Sequence, residues 1–410
     1  MKAVVLKKAL HISVDEVEDP VIEVETDALI EISTTGICGS DLHMYEGRTS
    51  MQPGTVLGHE NMGTVIKIGT AVKSIKVGDR VVLPFNVACG FCFNCERGFT
   101  NACLTVNPEA PSAAYGYAGM GPFRGGQAEL LRVPYADFNC LKLPGRPGDE
   151  FEDDFLLLSD VFPTAYHGAE LAKVQPGSTV AIFGAGPVGM LAAFSSILKG
   201  ASEVYIVDQF SDRLAKAKEI GAIPIDFTQG DPAEQIIEMR KKNSYIKSSL
   251  RTGEEKMPGV MCGIDAVGYQ AHDFNSPNKE KPTQVLESLV KVINPTGNLG
   301  IVGVYTVDDP HGINKSAKEG IFQLPWGEIF EKGISLGTGQ CPVKRYNRFL
   351  RDVIISRKVK PSFIVSHHLR LEDAPEAYRK FDQRIDGYTK VLLKPSTSGG
   401  RLSIASSPGK

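Results

Sequence analysis

The segment TVAIFGAGPVG at residues 179–189 most constrains what this chain can fold into. Its continuous apolar run predicts a buried strand, and the residues from 187 to about 198 predict a helix. In the intervening G-x-G-x-x-G pattern, Gly184 makes the turn, Gly186 lets the backbone approach a pyrophosphate, and Gly189 allows close packing of helix on strand. Free N–H groups at the helix start favour phosphates. The segment therefore predicts a dinucleotide-binding unit.

Asp208 ends the next predicted strand, VYIVD at 204–208. A carboxylate at this point would accept hydrogen bonds from both hydroxyls of an adenosine ribose and repel a 2′-phosphate, which favours NAD over NADP. Arg213 keeps NADP open as an alternative, since arginine can bind that phosphate. A glycine turn followed by a solvated aspartate, with no ligand, is the remaining alternative.

Strands and helices alternate after this point, a pattern typical of a parallel, doubly wound sheet. The predicted elements are a helix at 211–221, strands near 223–227, 263–267, 298–304 and 334–338, a helix after 340, a strand near 363–365, a helix at 372–381 and a strand at 389–393. Three polar stretches, 241–258, 268–283 and 305–325, are longer than usual connections. They are expected to be surface loops, or lids if they lie beside a ligand site.

Residues 1 to about 163 are built differently. Short β-rich runs, KAVVLK, ALIEISTTG, GTVIKIG and DRVVLPF, are separated by Gly, Pro and Asp turns, which predicts a barrel-like β domain. The last stretch, 396–410, is rich in Ser, Gly and Pro and is predicted to be disordered.

Charge and composition exclude several classes of partner. A chain of 410 residues predicts two to three domains. The net charge of −3 argues against a nucleic-acid or anionic-membrane partner. No apolar run approaches a membrane span, and the N-terminal stretch becomes acidic too soon for a signal peptide. Eight cysteines, four of them clustered, fit a reducing cytoplasm.

The clustered cysteines are Cys89, Cys92, Cys95 and Cys103, in a C-x₂-C-x₂-C-x₇-C arrangement. Four thiolates within reach of one ion are what a closed, tetrahedral, structural zinc site requires. An iron–sulfur cluster is an alternative, although the bacterial ferredoxin pattern has a shorter last gap and a following proline. Disulfide bonds are a second alternative.

Cys38 and His59 are candidate ligands for a second metal. A thiolate and an imidazole suit a catalytic zinc, which needs three protein ligands and an open position. Asp160 is a candidate third ligand. Considered alone, each residue could instead have a purely structural role, as a buried core cysteine or as a polar side chain whose hydrogen bonds are satisfied within the fold.

Three polar residues beside these candidates could support them. Asp41 could orient His59 through its other ring nitrogen. Ser40 and His43 could carry a proton from the metal-bound oxygen to solvent. Their alternative interpretation is a capped turn with an exposed histidine.

At residues 58–72, GHENMGTVIKIGTAV matches the pattern G-H-E-x-x-G-x₅-G-x-x-V. With the order of Cys38, GHE, the cysteine lobe and G-x-G-x-x-G, the chain resembles the zinc-containing medium-chain alcohol dehydrogenases from about residue 1 to 395. Within that superfamily it looks like the branch of glutathione-independent formaldehyde dehydrogenases and formaldehyde dismutases. The matching stretches are PFNVACG, CLTVNP, AYGYAGMG, GGQAE, VPYADFN, VFPTAYHG and TGQ.

The resemblance implies an α/β fold with a GroES-like β-barrel catalytic domain, 1–163 completed by 340–395, and a doubly wound Rossmann domain, 164–339. It implies that Cys38, His59 and Asp160 bind catalytic zinc, with Glu60 visiting the metal, and that the four clustered cysteines hold structural zinc. It places NAD against Gly39, Ser40, His43, Gly184, Gly186, Val188, Gly189, Asp208, Arg213, Val267, His272, Val302, Val304, Gly339, Gln340 and Cys341. Phe85 would line the substrate pocket, and the family suggests a homotetramer.

The expected activity is zinc- and NAD-dependent oxidation of formaldehyde or other small aldehydes, as hydrates, and of alcohols. In this branch extended loops cover the adenosine end of NAD, and the segments 241–258 and 268–283 match them in place. If these insertions retain NAD, dismutation of the aldehyde would follow. A secondary-alcohol or polyol dehydrogenase on the same scaffold is the nearest alternative. A non-catalytic NAD-binding relative and a zinc-ribbon nucleic-acid module are alternatives of other classes, which the intact Cys38, His59 and Asp160 set and the charge balance disfavour.

Overall fold

Two sheets organise the chain in the computed structural model, which describes residues 1–396. One sheet is parallel and is formed from the middle of the chain. The other is mostly antiparallel and combines the N-terminal strands with two strands from the C-terminal part. The predicted fold class, a β-barrel-like domain with a doubly wound Rossmann domain, is confirmed.

The parallel sheet has six strands within the described residues. In spatial order they are Ile223–Asp226, Glu203–Asp208, Thr179–Phe183, Val260–Asp265, Ile293–Ile301 and Ser335–Thr338. Numbered along the chain, this order is 3-2-1-4-5-6, so the direction of winding reverses between the first and fourth strands. Their carboxyl ends meet at one edge of the sheet, where ligands bind in folds of this kind.

Helices cover both faces of the parallel sheet, which explains why its strands are apolar runs without alternation. The helices of this region are Pro187–Leu198, Ser211–Glu219, Pro232–Lys242, Ser244–Ser249, Gln284–Val292, Lys315–Lys318 and Trp326–Lys332. A small hairpin, His272–Asp273 with Ser276–Glu280, lies within the second polar stretch. The three polar stretches therefore contain short elements as well as loops.

The antiparallel sheet follows the predicted β-rich runs. Its strands, in spatial order, are His367–Arg370, Val391–Lys394, Ala28–Ile37, Glu60–Ile68, Arg80–Leu83 and Leu141–Lys142, with Leu130–Val133 also paired to Ala28–Ile37. The first hairpin, Lys2–Lys8 with His11–Glu16, joins this layer through isolated bridges at Ala3 and Val5.

Short helices connect the strands of this second region and pack it onto the first. They are Gly39–Tyr45, Phe93–Glu96, Ala136–Asn139, Glu152–Leu156, Val161–Leu171, Asn347–Ile355 and Ala374–Gln383. Single 3₁₀ turns occupy Thr100–Ala102, Leu157–Ser159, Phe227–Gln229, Glu254–Lys256, Val343–Arg345, Pro361–Ile364 and Leu371–Asp373. Buried side chains from both sheets share one core, in which Phe162 and Ile182 are fully enclosed.

The predicted strand near 363–365 is wrong. Pro361–Ile364 forms a 3₁₀ turn, and the strand begins later, at His367, where it pairs with Val391. The apolar side chains of this turn pack against the core as part of an irregular segment. A short apolar run therefore suggested a strand although the backbone forms none. The predicted disordered tail, 396–410, lies outside the described residues except for Ser396.

No helix in the described part of the chain, residues 1–396, is both long and apolar enough to cross a membrane.

Candidate functional site

The four clustered cysteines converge on one point. Their sulfur atoms all lie within 4.8 Å of one another, with 4.0 Å between Cys89 and Cys95 and 3.9 Å between Cys92 and Cys103. Four sulfurs around a tetrahedral zinc at about 2.3 Å would be separated by roughly 3.8 Å, so the donor set fits zinc. A disulfide requires a separation of about 2.05 Å, so the disulfide alternative is wrong.

Backbone amides further hold this cysteine lobe. The N–H of Cys89 donates to Cys103 Sγ at 3.4 Å, and the N–H of Leu104 donates to Cys92 Sγ at 3.4 Å. Such N–H···S contacts favour the thiolate form, which is the form that binds metal. The loop is therefore arranged around its sulfur atoms.

A second cluster brings together Cys38, His59, Glu60 and Asp160, whose donor atoms also lie within 4.8 Å of one another. Nε2 of His59 is 3.1 Å from Oδ2 of Asp160, and Sγ of Cys38 is 3.7 Å from the same oxygen. All four residues are buried. The structure thus assembles the three predicted ligands, which are 21 and 101 residues apart in sequence, at one place.

Neighbouring side chains fix the orientation of these donors. Oδ1 of Asp41 lies 3.1 Å from Nδ1 of His59, and Thr164 donates its hydroxyl to Oδ1 of Asp160 at 2.7 Å. The Asp41 contact is an ion pair and the Thr164 contact is a hydrogen bond. Each engages one side of its group, so Nε2 of His59 and Oδ2 of Asp160 face the cluster. Asp41 itself is fixed because its Oδ2 accepts from the N–H of Cys38 at 3.0 Å.

The charges in this cluster call for a cation. Burial, followed by the nearby Asp160 and Glu60 carboxylates, raises the pKa of the Cys38 thiol. Burial opposes the charged form of His59, but Asp41 and Asp160 outweigh it and hold the His59 pKa well above its ordinary value. The nearby Lys390 ammonium pairs with Glu60, and a divalent metal would satisfy the Cys38 thiolate, the His59 imidazole and the Asp160 carboxylate together. The residues fit zinc.

Lys390 is a feature of this cluster that the sequence did not reveal. Its ammonium group is buried, contacts the Glu60 carboxylate and donates to the carbonyl of Ile37 at 3.2 Å. The ion pair engages Oε2 of Glu60, whereas Oε1 of Glu60 has no hydrogen-bond partner among the described residues. A lysine directly before the apolar strand Val391–Lys394 was the available signal.

A cleft leads from this cluster to the carboxyl ends of the parallel strands. Nearly all the predicted cofactor residues line it, namely Gly39, Ser40, His43, Gly184, Gly186, Val188, Asp208, Arg213, Val267, His272, Val302, Val304, Gly339, Gln340 and Cys341. Gly189 and Glu60 lie behind the lining. Gly189 instead allows its helix to approach the glycine-rich turn closely. An added Cβ at this position would lie 1.7 Å from the Gly184 carbonyl oxygen, so only glycine fits.

The glycine-rich turn is shaped as a cradle. Gly184 has φ of +93°, a conformation that favours glycine, and Gly186 caps the helix Pro187–Leu198. An added Cβ at Gly186 would find its nearest atom, on Arg213, 4.0 Å away, so space above the turn is open. Asp208 is held beside it by the N–H of Ala185 at 2.7 Å. The arrangement fits a dinucleotide with its diphosphate on the helix N-terminus.

The predicted proton-carrying residues lie at the same end of the cleft. Ser40 Oγ is 3.4 Å from Nε2 of His59. His43 is buried, not exposed as in its alternative interpretation, and burial lowers its pKa to about 4. Phe85 and Tyr117 lie against His59 in edge-on arrangements, with ring centroids 6.1 and 5.8 Å away, and both line the cleft next to the cluster.

Arg48 binds residues of both the second and the third polar stretch. Its guanidinium donates to Asp309 at 2.8 Å through Nε and to Glu280 at 2.8 Å through Nη1, and both Arg48 and Asp309 are buried. In addition, Gln270 Nε2 donates to Glu46 at 2.5 Å. Among the described residues, the lining of the cleft includes residues of 268–283 but none of 241–258 or 305–325.

Known proteins share this fold and these motifs. Residues 24–145 match the family described as the alcohol dehydrogenase GroES-like domain. The glutathione-independent formaldehyde dehydrogenase of Pseudomonas aeruginosa is 43% identical over 91% of this chain and 90% of its own length. The formaldehyde dismutase of Pseudomonas putida is 38% identical over 93% and 95%. The structure of alcohol dehydrogenase TADH from Thermus sp. ATN1 has 33% identity and a TM-score of 0.78, covering 96% of this chain and all of that one.

Fold, clustered donors and relatives together define a zinc-dependent dehydrogenase that uses a nicotinamide dinucleotide. The chain belongs to the zinc-type alcohol dehydrogenase family, as its sequence predicted.

Proposed function

We propose that this protein oxidises formaldehyde and other small aldehydes, taken as their hydrates, and small alcohols, with NAD as the hydride acceptor. The observation that carries the proposal is the position of the buried Cys38, His59 and Asp160 cluster at the end of the dinucleotide cleft. Relatives named for formaldehyde at 38–43% identity support the substrate class. The aromatic rings of Phe85 and Tyr117, which line the cleft against His59, support a small substrate.

Each ligand has a defined part in this proposal. Cys38 as thiolate, His59 through Nε2 and Asp160 through Oδ2 hold the catalytic zinc, while Asp41 keeps His59 in the required orientation. Zinc, when bound, supplies a Lewis acid for the substrate oxygen, and NAD accepts the hydride. Glu60, held back by Lys390, serves as a transient fourth donor.

Ser40 and His43 move the proton released from the substrate hydroxyl. The Ser40 hydroxyl accepts it at the edge of the cluster, 3.4 Å from His59 Nε2, and passes its own proton toward His43. An imidazole with a pKa of about 4 holds the proton only briefly, which suits a relay residue.

Two zinc ions per chain are proposed, one in the Cys89, Cys92, Cys95 and Cys103 lobe and one at Cys38. NAD is proposed over NADP because Asp208 lies beside the cradle, although Arg213 Nη1 is only 3.6 Å from its Oδ2. The remaining lining residues that the sequence assigned to NAD are proposed to contact the nicotinamide, ribose and diphosphate groups.

Retention of NAD, with dismutation, is the finer part of the proposal. The Arg48 contacts to Asp309 and Glu280 support it, because they anchor the 268–283 stretch, which lines the cleft, and the 305–325 stretch to the same guanidinium. NADH that stays bound would pass its hydride to a second aldehyde, so two aldehydes and water give one acid and one alcohol. Free exchange of NAD would give a conventional dehydrogenase instead.

The proposed domains are 1–163 with 340–395, and 164–339. Membership of the sheets supports this division, because the parallel strands fall between Thr179 and Thr338 and both later strands join the N-terminal sheet. A cytoplasmic location is also proposed. None of the eight cysteines, all of which lie within the described residues, is in a disulfide bond, as a reducing compartment favours.

A homotetramer is proposed as the assembly. Two separate apolar surfaces support it. The edge strand Ser335–Thr338 lies near the exposed Trp326 and Phe330, and the cysteine lobe exposes Phe91 and Phe93. Two independent self-complementary faces are what a tetramer with dihedral symmetry needs. Light scattering on the purified protein measures the mass, and a monomer would contradict this part.

Steady-state kinetics test the proposed function. The ratio kcat/KM is measured for formaldehyde, longer aldehydes, primary alcohols and secondary alcohols, with NAD and with NADP. The proposal expects formaldehyde and short primary alcohols to lead. A preference for secondary alcohols or polyols would establish the alternative on the same scaffold, and no turnover with any substrate would favour a non-catalytic relative.

A further inference from the structure

His43 is poorly placed to release a proton directly to water. Its side chain is only 8% exposed, and its ring packs against Tyr269 with 4.9 Å between centroids. Its Nδ1 has no hydrogen-bond partner among the residues that the structure describes. A proton that reaches His43 therefore needs another acceptor before it can leave the protein.

Glu46 occupies the position where such an acceptor would act. It caps the helix Gly39–Tyr45, three residues after His43, and residues with this spacing lie on the same helical face about 5–6 Å apart. Both residues line the cleft. Gln270 lies between them from the opposite side, donating to Oε2 of Glu46 at 2.5 Å and interacting with His43.

We propose that Glu46 is a further residue of the proton path, which accepts the proton from His43 and delivers it to solvent beside Asp382. The step is a proton transfer only: an N–H bond of the His43 imidazolium breaks, an O–H bond forms on the Glu46 carboxylate, and the imidazole becomes neutral. The inference rests on the proposed function, since it extends the relay from Ser40.

The ionisation of Glu46 agrees with this role. Burial, and then the neighbouring Asp382, raises its pKa to about 7, while Gln270 and Arg48 act in the opposite direction. A group that titrates near neutral pH accepts and releases protons with similar ease. Several charged or titratable groups face Glu46. They are Arg48 and His43 on its own segment, Tyr269 on the opposite loop, and Asp382 and Arg384 from the C-terminal helix region.

The Glu46→Gln variant tests the transfer, because its amide oxygen can still accept from Gln270. Proton release during one turnover is followed with a pH indicator in a stopped-flow instrument at pH 7. We expect release to slow by roughly tenfold or more and imidazole in the buffer to restore it. A purely structural Glu46 would give a loss that imidazole does not restore. That result, or an unchanged rate, would overturn the proposal. Glu376→Gln, an exposed carboxyl outside the cleft, is the control.

A second measurement is independent of turnover. Infrared difference spectra of the purified protein between pH 6 and 8 should show the carbonyl band of a protonated carboxyl group that disappears in Glu46→Gln. The same band in both proteins would overturn the assignment. If the protein oxidised no aldehyde or alcohol at all, the proposed function would fail, and the infrared result would still report on Glu46.

Discussion

Oδ1 of Asp41 lies 3.1 Å from Nδ1 of His59, while the other ring nitrogen, Nε2, lies 3.1 Å from Asp160. Asp41 is fully buried, and its other oxygen is held by the backbone of Cys38. One carboxylate thereby orients a histidine and braces the segment that bears a second donor. Groups in this position influence metal affinity although they do not touch the metal.

Replacing this carboxylate should weaken the catalytic metal site. Asp41→Asn is expected to lower zinc affinity or kcat/KM by roughly 10- to 100-fold while the cysteine-lobe zinc stays. Elemental analysis after mild chelation, together with kinetics, measures both effects. Asp308→Asn, at an exposed position, is the matched control. Equal zinc retention and equal kinetics in the Asp41 variant and the control would contradict this role.

Loss of the two metals should have different consequences. Cys92→Ser removes a ligand from the closed lobe, so we expect a lower thermal midpoint and impaired assembly. Asp160→Ala is expected to keep the fold and abolish turnover. Calorimetry with activity assays separates the two variants. Equal losses of thermal stability in both would argue against one structural and one catalytic site.

Asp208 should control the choice of cofactor. Asp208→Gly removes a charged hydrogen-bond acceptor, with an expected cost of about 2 kcal/mol in NAD binding, or roughly 30-fold in Kd. Discrimination against NADP should fall at the same time, because Arg213 remains. Calorimetric titration with both dinucleotides measures this. Tighter binding of NADP than NAD by the unmodified protein would mean that Asp208 has another role.

Arg48 should govern how long NAD stays bound. Arg48→Lys keeps the charge but cannot make the paired contacts with Asp309 and Glu280, so the two polar stretches should open more readily. We expect faster release of NAD during desalting, read from the nucleotide remaining after denaturation. Arg370→Lys, at an exposed position, serves for comparison. Identical retention in both variants would show that Arg48 does not hold the cleft closed.

Acid should destabilise the protein through the buried His167. Burial, and then Arg345, lowers the pKa of His167 to about 4, and Nδ1 of this residue lies 2.9 Å from the Tyr346 hydroxyl. Between pH 6.5 and 4 the folded state binds fewer protons than the unfolded chain, so the free energy of unfolding falls as pH falls. For His167 the loss amounts to roughly 3 kcal/mol. Urea unfolding from pH 7 to 4 should show a smaller decline in the free energy of unfolding for His167→Gln than for His368→Gln. Equal declines in the two variants would refute this role of His167.

Local motifs explain why much of the site could be predicted. The strand, glycine turn and helix around Gly184 lie within twenty residues, and the turn determines its own geometry. The cysteine lobe is similarly local, spanning Cys89 to Cys103. Their physical requirements are complete within one stretch of sequence, so spacing was sufficient.

Contacts made only by the folded chain could not be predicted in this way. Lys390 meets Glu60 across 330 residues, and Gln270 meets Glu46 across 224. Neither pair has a spacing signature, because the strand order of the antiparallel sheet brings Lys390 to Glu60, and the packing of the 268–283 stretch beside the helix Gly39–Tyr45 brings Gln270 to Glu46. The strand wrongly predicted at 363–365 has the same origin, since tertiary burial, rather than a strand period, selects its apolar side chains.

The most direct test of the account is the fate of ¹³C-labelled formaldehyde, followed by NMR with the purified, extensively desalted zinc protein. We predict conversion to formate when NAD is added, and to equal amounts of formate and methanol without added NAD if the cofactor is retained. Asp160→Ala should produce neither. If formaldehyde hydrate persisted unchanged with NAD present while the same preparation oxidised a secondary alcohol, the proposed oxidation of formaldehyde would be contradicted.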